Sequence, residues 1–431
     1  MQISVQNFIK QFFPITIIWV LFQVNTSAQD TIIEDRIYKE NIKSVQLFRE
    51  GWRLSYPVTE LHGNTKLILK FDDLSEEIKN YNYKIIHCDS EWRESGLSET
   101  EYLEGMIQDQ IDDYDYSFNT YTSYVHYTLG LPNENLSLRL SGNYALIVYE
   151  NFDENDVVFV KRFMVYEKLV NVEAEVTRPI LSAFRETGHQ INLRVNFGSF
   201  PVEDPYSDIR VVVMQNGRWD NRLDNLKPLF VRNNALVYDN QNDLIFPAGN
   251  EYRWFDIKSL RYQSPYVKDI NYEAGIYNVD LFPEENRANK VYFYEEDING
   301  KYYVEVQEES NDYTDAEYVY VNFEFPVEAP SLTGGYYVFG ELTNWDLHEK
   351  NKMEYDWNSS TYKLKLFLKQ GYYNYHIAFA EQNSGIADLS YVEGNNYETE
   401  NNYLIFVYHY GTTSRYERLI GYQLVNSLRR K

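Results

Sequence analysis

Between Leu67 and Trp92 the side chains alternate with a period of two, and that rhythm constrains the fold more than any other feature of the chain. Leu67, Leu69 and Phe71 interleave with Ile68 and Lys70. After a polar, acidic connection, Tyr81, Tyr83, Ile85 and His87 interleave with Asn82, Lys84, Ile86 and Cys88. A helix would repeat every 3.6 residues, whereas an extended strand sends successive side chains to opposite faces. The stretch is therefore expected to form an antiparallel unit of a β-sandwich. The same rhythm returns at residues 121–129 and 372–379, and short apolar runs between turn signals recur along the whole chain.

Composition agrees. The 431 residues include 41 tyrosines and 24 phenylalanines, side chains that suit a pleated, half-buried surface and that also serve protein interfaces. A formal net charge of -25 excludes nucleic acid as a partner, because phosphate recognition needs a basic surface. It equally disfavours anionic lipid. The single cysteine, Cys88, rules out a disulfide within the chain, so stability has to come from packed cores.

The N-terminus differs from the rest. Lys10 is the one charge before Asp30, and the apolar run at 14–24 is too short for an ordinary membrane span. Thr26-Ser27-Ala28 supplies small residues behind it. This is the pattern of a secretory signal peptide, 1–28, cleaved after Ala28. The remainder holds no long apolar stretch, so no direct membrane insertion is expected. Three domains are expected to follow: an N-terminal β-sandwich at 29–168, a middle β-rich domain at 169–326 entered through a hinge at 168–170, and a C-terminal β-sandwich at 327–431 beyond the linker Pro326-Val327-Glu328-Ala329-Pro330. Residues 292–296 read as one of the strands of the middle region.

Candidate chemistry is sparse. His87-Cys88-Asp89 contains a nucleophile and a base, but neighbours on a strand face opposite ways and cannot pair, so Cys88 reads as a buried apolar residue. The carboxylate pairs Asp72-Asp73 and Asp112-Asp113 fail as glycosidase pairs for the same reason, and read as solvated turns. The seven histidines are scattered without zinc spacing. The acidic loop 151–156 lacks the central glycine and closing glutamate of a calcium loop. No nucleophile elbow, P-loop or dinucleotide fingerprint occurs. Catalytic, cofactor and metal residues are therefore expected to be none.

Two family resemblances add to this reading. Val338-Phe339-Gly340-Glu341-Leu342-Thr343-Asn344-Trp345, followed by Gly371-Tyr372-Tyr373-Asn374-Tyr375, resembles the early-set modules related to glycogen-binding domains, which implies a sandwich whose turn tryptophan is Trp345. More widely, Gly51-Trp52-Arg53-Leu54-Ser55-Tyr56-Pro57, Lys70-Phe71-Asp72-Asp73-Leu74, the run from Tyr81 to Trp92, Ser117-Phe118-Asn119-Thr120, Tyr124-Val125-His126-Tyr127, Ser141-Gly142-Asn143-Tyr144 and Gly249-Asn250-Glu251-Tyr252-Arg253-Trp254-Phe255-Asp256 resemble the type IX secretion plug-protein family of the Bacteroidota. That resemblance implies an all-β, periplasmic protein of tandem immunoglobulin-like and early-set sandwiches, without enzyme activity or cofactor. It further implies that the protein binds and occludes the periplasmic opening of the type IX outer-membrane translocon barrel. The alternative expectation is an exported carbohydrate-binding protein that uses Trp345 or Trp357.

Overall fold

The computed structural model describes residues 32–308 and 311–428. The expected signal peptide at 1–28 lies outside them. Among the described residues strands dominate, and α-helix is confined to single turns at Glu99–Tyr102, Pro205–Asp208 and Ser390–Glu393. The all-β class is what the period-two patterning demands.

In the first sandwich one sheet runs Ile42–Arg49, Leu67–Asp73, Val125–Leu131, Asp113–Tyr116. The facing sheet runs Arg36–Ile37, Val157–Tyr166, Gly142–Glu150, Tyr81–Cys88, Gln108–Gln110. Leu69, Phe71, Tyr83, Ile85, Val148 and Phe159 fill the space between. Leu67–Asp73 and Tyr81–Cys88 thus do not pair with each other as an antiparallel unit. Each carries one apolar face, and the fold buries the two against one another from opposite sheets, with the Phe71 and Tyr81 rings 5.3 Å apart. Residues 74–80 cross from one sheet to the other.

The second sandwich pairs Asn171–Thr177, Gly188–Asn196, Ala235–Tyr238 and Phe230–Arg232 in one sheet. Its other sheet is Ile209–Gln215, Asn402–His409 and Arg418–Asn426, so its last two strands come from the far end of the chain. The third sandwich lies between them in sequence. Val267–Glu273, Ile276–Leu281, Tyr318–Pro326, Thr361–Lys369 and Glu354–Asp356 form one sheet. Gly371–Glu381, flanked by Arg253–Asp256, Tyr302–Val304 and Gly334–Phe339, packs over it.

A division at 326/327 therefore does not describe this molecule. Tyr318–Pro326 pairs along its length with Thr361–Lys369, Pro326 opposite Thr361, and both strands share one core with Tyr373 and Ile377. Proline is tolerated at the end of a strand, where its missing N–H costs little, and the Pro326–Pro330 run is a connection inside one sandwich. Residues 292–296 also form no strand. Side chains hold that segment instead: the Tyr292 hydroxyl donates to Glu251, and Trp254 Nε1 and the Tyr266 hydroxyl each donate to Glu295 at 2.8 Å.

From Ile32 onward the chain is one compact unit, because the first and second sandwiches share a further core. Val211 and Val213 point into the second sandwich, whereas Val212 and Met214 on the same strand pack with Leu404 and Phe406 against Cys88, Ala145 and Met164 of the first. A strand buried on both faces reads as the continuous apolar run it is here, Val211-Val212-Val213-Met214.

Candidate functional site

His87 and Cys88 part company as strand geometry requires. His87 turns into the first sandwich, against the Tyr144 ring at 5.0 Å, and its Nε2 donates to the Ser141 carbonyl at 3.2 Å. Burial pushes its pKa down to about 4. Cys88 turns the other way, into the core shared with the second sandwich, where burial, with Asp89 and Glu94 nearby, pushes the thiol up to about 12. The pair holds neither a thiolate nor a base that meets it.

Asp72 and Asp73 are not a solvated turn. Both are completely buried. Asp73 ties its own sandwich together, accepting from the Tyr81 hydroxyl at 2.7 Å, the Ser75 hydroxyl at 2.8 Å and Asn41 Nδ2 at 2.5 Å. Asp72 ties two sandwiches. Its carboxylate accepts from His126 Nδ1 within the first, and from the Tyr318 hydroxyl and Lys369 Nζ of the third, each at 2.6 Å. Lys369 also donates to the Tyr313 carbonyl at 2.6 Å and sits 4.1 Å from the centre of the Tyr124 ring. Burial alone would raise the Asp72 pKa, but the Lys369 ammonium and the His126 bond outweigh it and hold the carboxyl below its usual range. Burial depresses Lys369 despite the carboxylate beside it. Asp112 and Asp113, by contrast, are exposed.

The segment from Gly249 to Asp256 forms a second polar knot. Arg253 Nε donates to the buried Glu393 carboxylate at 3.0 Å, and Arg287 Nε donates to the same carboxylate at 2.7 Å. The Ile377 N–H donates to it as well, at 2.8 Å. Tyr252 stacks on His376 at 3.9 Å, and its N–H donates to Asp297 at 2.5 Å. Trp345 belongs to this junction: it is half-buried, with its ring 5.6 Å from Phe339 and 6.1 Å from Tyr252. A Cβ on Gly300 would sit 2.1 Å from the Trp345 ring. Trp92 marks a third junction. Its ring lies 4.9 Å from Trp219 of the second sandwich, with the Arg162 guanidinium 5.0 Å from one ring and 4.5 Å from the other.

The acidic loop at 151–156 is exposed and drawn to lysines, Lys39 contacting Asp156 at 2.5 Å and Lys84 contacting Glu154. Among the described residues no group of three or more His, Cys, Asp or Glu side chains is placed to hold a metal ion. No described helix is long and apolar enough to cross a membrane.

A cleft of about 1320 Å³ opens where the three sandwiches meet. The first contributes Trp52 and Tyr56, the third contributes Asp297, Asn299 and Lys301, and the second contributes residues 171–178 and 423–427 as its walls. Lys301 donates to the Ser55 carbonyl at 3.0 Å, with its ammonium 3.9 Å from the Tyr56 ring. Sequence patterning gave no sign of this cleft, which exists only because distant strands return to the second sandwich.

Residues 42–167 match the family model described as the type 9 secretion system plug protein 1st domain. The crystal structure of a hypothetical protein from Parabacteroides merdae superposes with a TM-score of 0.89, at 33% sequence identity, covering 92% of this chain and 100% of that one. No curated protein matches the chain. The match to the plug model ends at Glu167, where the first sandwich gives way to the second, and the likeness to the Parabacteroides protein continues through all three. The chain accordingly belongs to one family with the Parabacteroides merdae protein, and its N-terminal sandwich matches the model described as the type 9 secretion system plug protein 1st domain.

Proposed function

We propose that this protein is a non-enzymatic periplasmic plug that binds the outer-membrane translocon barrel of the type 9 secretion system and occludes its periplasmic opening. The observation that carries this reading is the plug-domain match over residues 42–167, which points to a secretion-related, structural role. The mechanism is steric. A plug has to resist deformation, and the buried ion pair between Asp72 and Lys369 supports that, because separating the first and third sandwiches would leave two unpaired charges in an apolar setting. The surface supplies aromatic anchors of the kind that dominate interfaces, among them Phe118, Tyr121 and Phe293, each more than 60% exposed. Affinity purification of the tagged chain lacking residues 1–28 from solubilised envelopes, read by mass spectrometry, tests the proposal. Recovery of a very large outer-membrane barrel in near-equal amount is the expected result. Recovery of polysaccharide alone, or of no partner, would overturn it.

A further inference from the structure

The two strands that wall the cleft, Asn171–Thr177 and Arg418–Asn426, are each the outermost strand of their sheet. One pairs with Gly188–Asn196 and the other with Asn402–His409, and among the described residues neither has a strand on its other side. They begin together. The Glu167 N–H donates to the Leu419 carbonyl, and the Leu169 and Val170 N–H groups donate to that of Ile420. A Cβ on Gly421 would meet Val170 at 2.6 Å. Beyond Gly421 the strands separate into opposite sheets. Among the described residues, no backbone hydrogen bond from another segment reaches the outer edge of residues 422–426. Consecutive residues line the cleft on both walls. A groove over a sheet face would be lined by alternate residues, so this one runs along strand edges. An open edge is a template for another strand, and extended peptides are recognised by such addition.

One end of the cleft carries charge without a counter-charge. Glu400 lines it, and no Lys, Arg or His of the described residues lies within ion-pair distance of it. Asn299 lines it too. Its Nδ2 donates to Glu400 at 3.3 Å, while its Oδ1 is buried and accepts from nothing, although the residue is only 5% exposed. A buried acceptor left open costs free energy that an incoming donor would recover. A lysine or arginine supplies donors and positive charge together.

We propose that the cleft binds an extended segment of a partner polypeptide, which adds a strand along residues 422–426 and sets a lysine or arginine against Asn299 and Glu400. The inference rests on the cleft and not on occlusion of a translocon, so either can fail alone. The test uses short peptides of alternating valine and threonine, one set with lysine at both ends and one with glutamate at both ends. They are titrated calorimetrically against the chain lacking residues 1–28, and against the same chain ending at Leu428 so that its own basic end cannot compete. Amide hydrogen exchange is followed in parallel. The lysine peptide is expected to slow exchange at residues 422–426 and to bind at least about tenfold more tightly than the glutamate peptide. Glu400→Lys, with an unchanged circular dichroism spectrum, is expected to lose at least about tenfold in affinity for it. Equal binding of the two peptides, no slowing with either chain, or slowing confined to another region would each overturn the proposal.

Discussion

Asp72 and Lys369 are separated by 297 positions in the chain and by 2.6 Å in space, and both side chains are fully buried at the meeting of the first and third sandwiches. Truncating one member of such a pair leaves the other charged and dry, so Lys369→Met is expected to lower the unfolding free energy by about 3–5 kcal/mol in urea denaturation. Asp72→Asn combined with Lys369→Met removes both charges while the amide oxygen still accepts from Tyr318. The double variant is expected to be more stable than Lys369→Met alone. A double variant whose loss equals the sum of the two singles would show that the ion pair does not couple the sandwiches.

How much of this was legible depends on how local the signal is. The alternation at Leu67–Asp73 and Tyr81–Cys88 is a property of each strand, and it gave both strands. Which sheet each joins depends on Ile42–Arg49 and Gly142–Glu150, and no local pattern encodes that. Asp72 sits beside Asp73 before a polar connection, so by its neighbours it looks solvated; its partner is on a strand nearly 300 residues away, and only the fold brings them together. The Pro326–Pro330 run has linker composition because a strand must end there, and composition does not distinguish a strand's end from a domain's. Val211-Val212-Val213-Met214 has no polar alternate, which is the local mark of a strand buried on both faces and thus of the core joining the first two sandwiches.

Trp345 is a structural residue in this arrangement. Trp345→Ala is expected to cost about 2–4 kcal/mol, because the ring packs on Phe339, Tyr252 and Gly300. Gly300→Ala should cost a similar amount, about 2–4 kcal/mol, since Gly300 has φ +76° and a Cβ would meet the Trp345 and Tyr252 rings at 2.1 and 2.6 Å. Trp357 is 75% exposed, and its replacement by alanine should stay within about 0.5 kcal/mol of zero. Chemical denaturation of the three variants measures this. A Trp345→Ala variant as stable as the parent, with lost affinity for a glycan, would return the tryptophan to a binding role.

Cys88 should be inert in the folded protein. Its thiol is buried between two sandwiches and held in the protonated form, with a pKa of about 12, and it is the thiolate that reacts. Labelling by a thiol reagent at pH 8 is expected to be negligible under native conditions and complete in denaturant. With the reagent in excess, its rate under native conditions should track opening of the interface between the first two sandwiches. Rapid native labelling would show that this interface opens far more readily than its packing implies.

Glu251 gives the protein a pH dependence of defined sign. Its Oε1 accepts from the Tyr292 hydroxyl and the Glu400 N–H, while Oε2 is buried without a partner. Burial, helped by the neighbouring Glu400 carboxylate and opposed by the Tyr292 bond and Arg287, pushes its pKa from 4.5 up to about 7. A carboxyl whose pKa is raised by folding binds its proton more tightly in the folded state. Its contribution is therefore full below pH 4.5 and is lost as the pH rises through about 7, a change of at most about 3 kcal/mol. Glu251→Gln is fixed in the neutral form and should escape that loss. The difference in unfolding free energy between Glu251→Gln and the parent is expected to grow by about 1–3 kcal/mol in favour of the variant between pH 5 and pH 8. Comparing the two proteins at each pH cancels the other titrating groups. A difference that stays flat over that range would mean that Glu251 is ionised throughout, with its buried oxygen satisfied by a group the described residues do not supply.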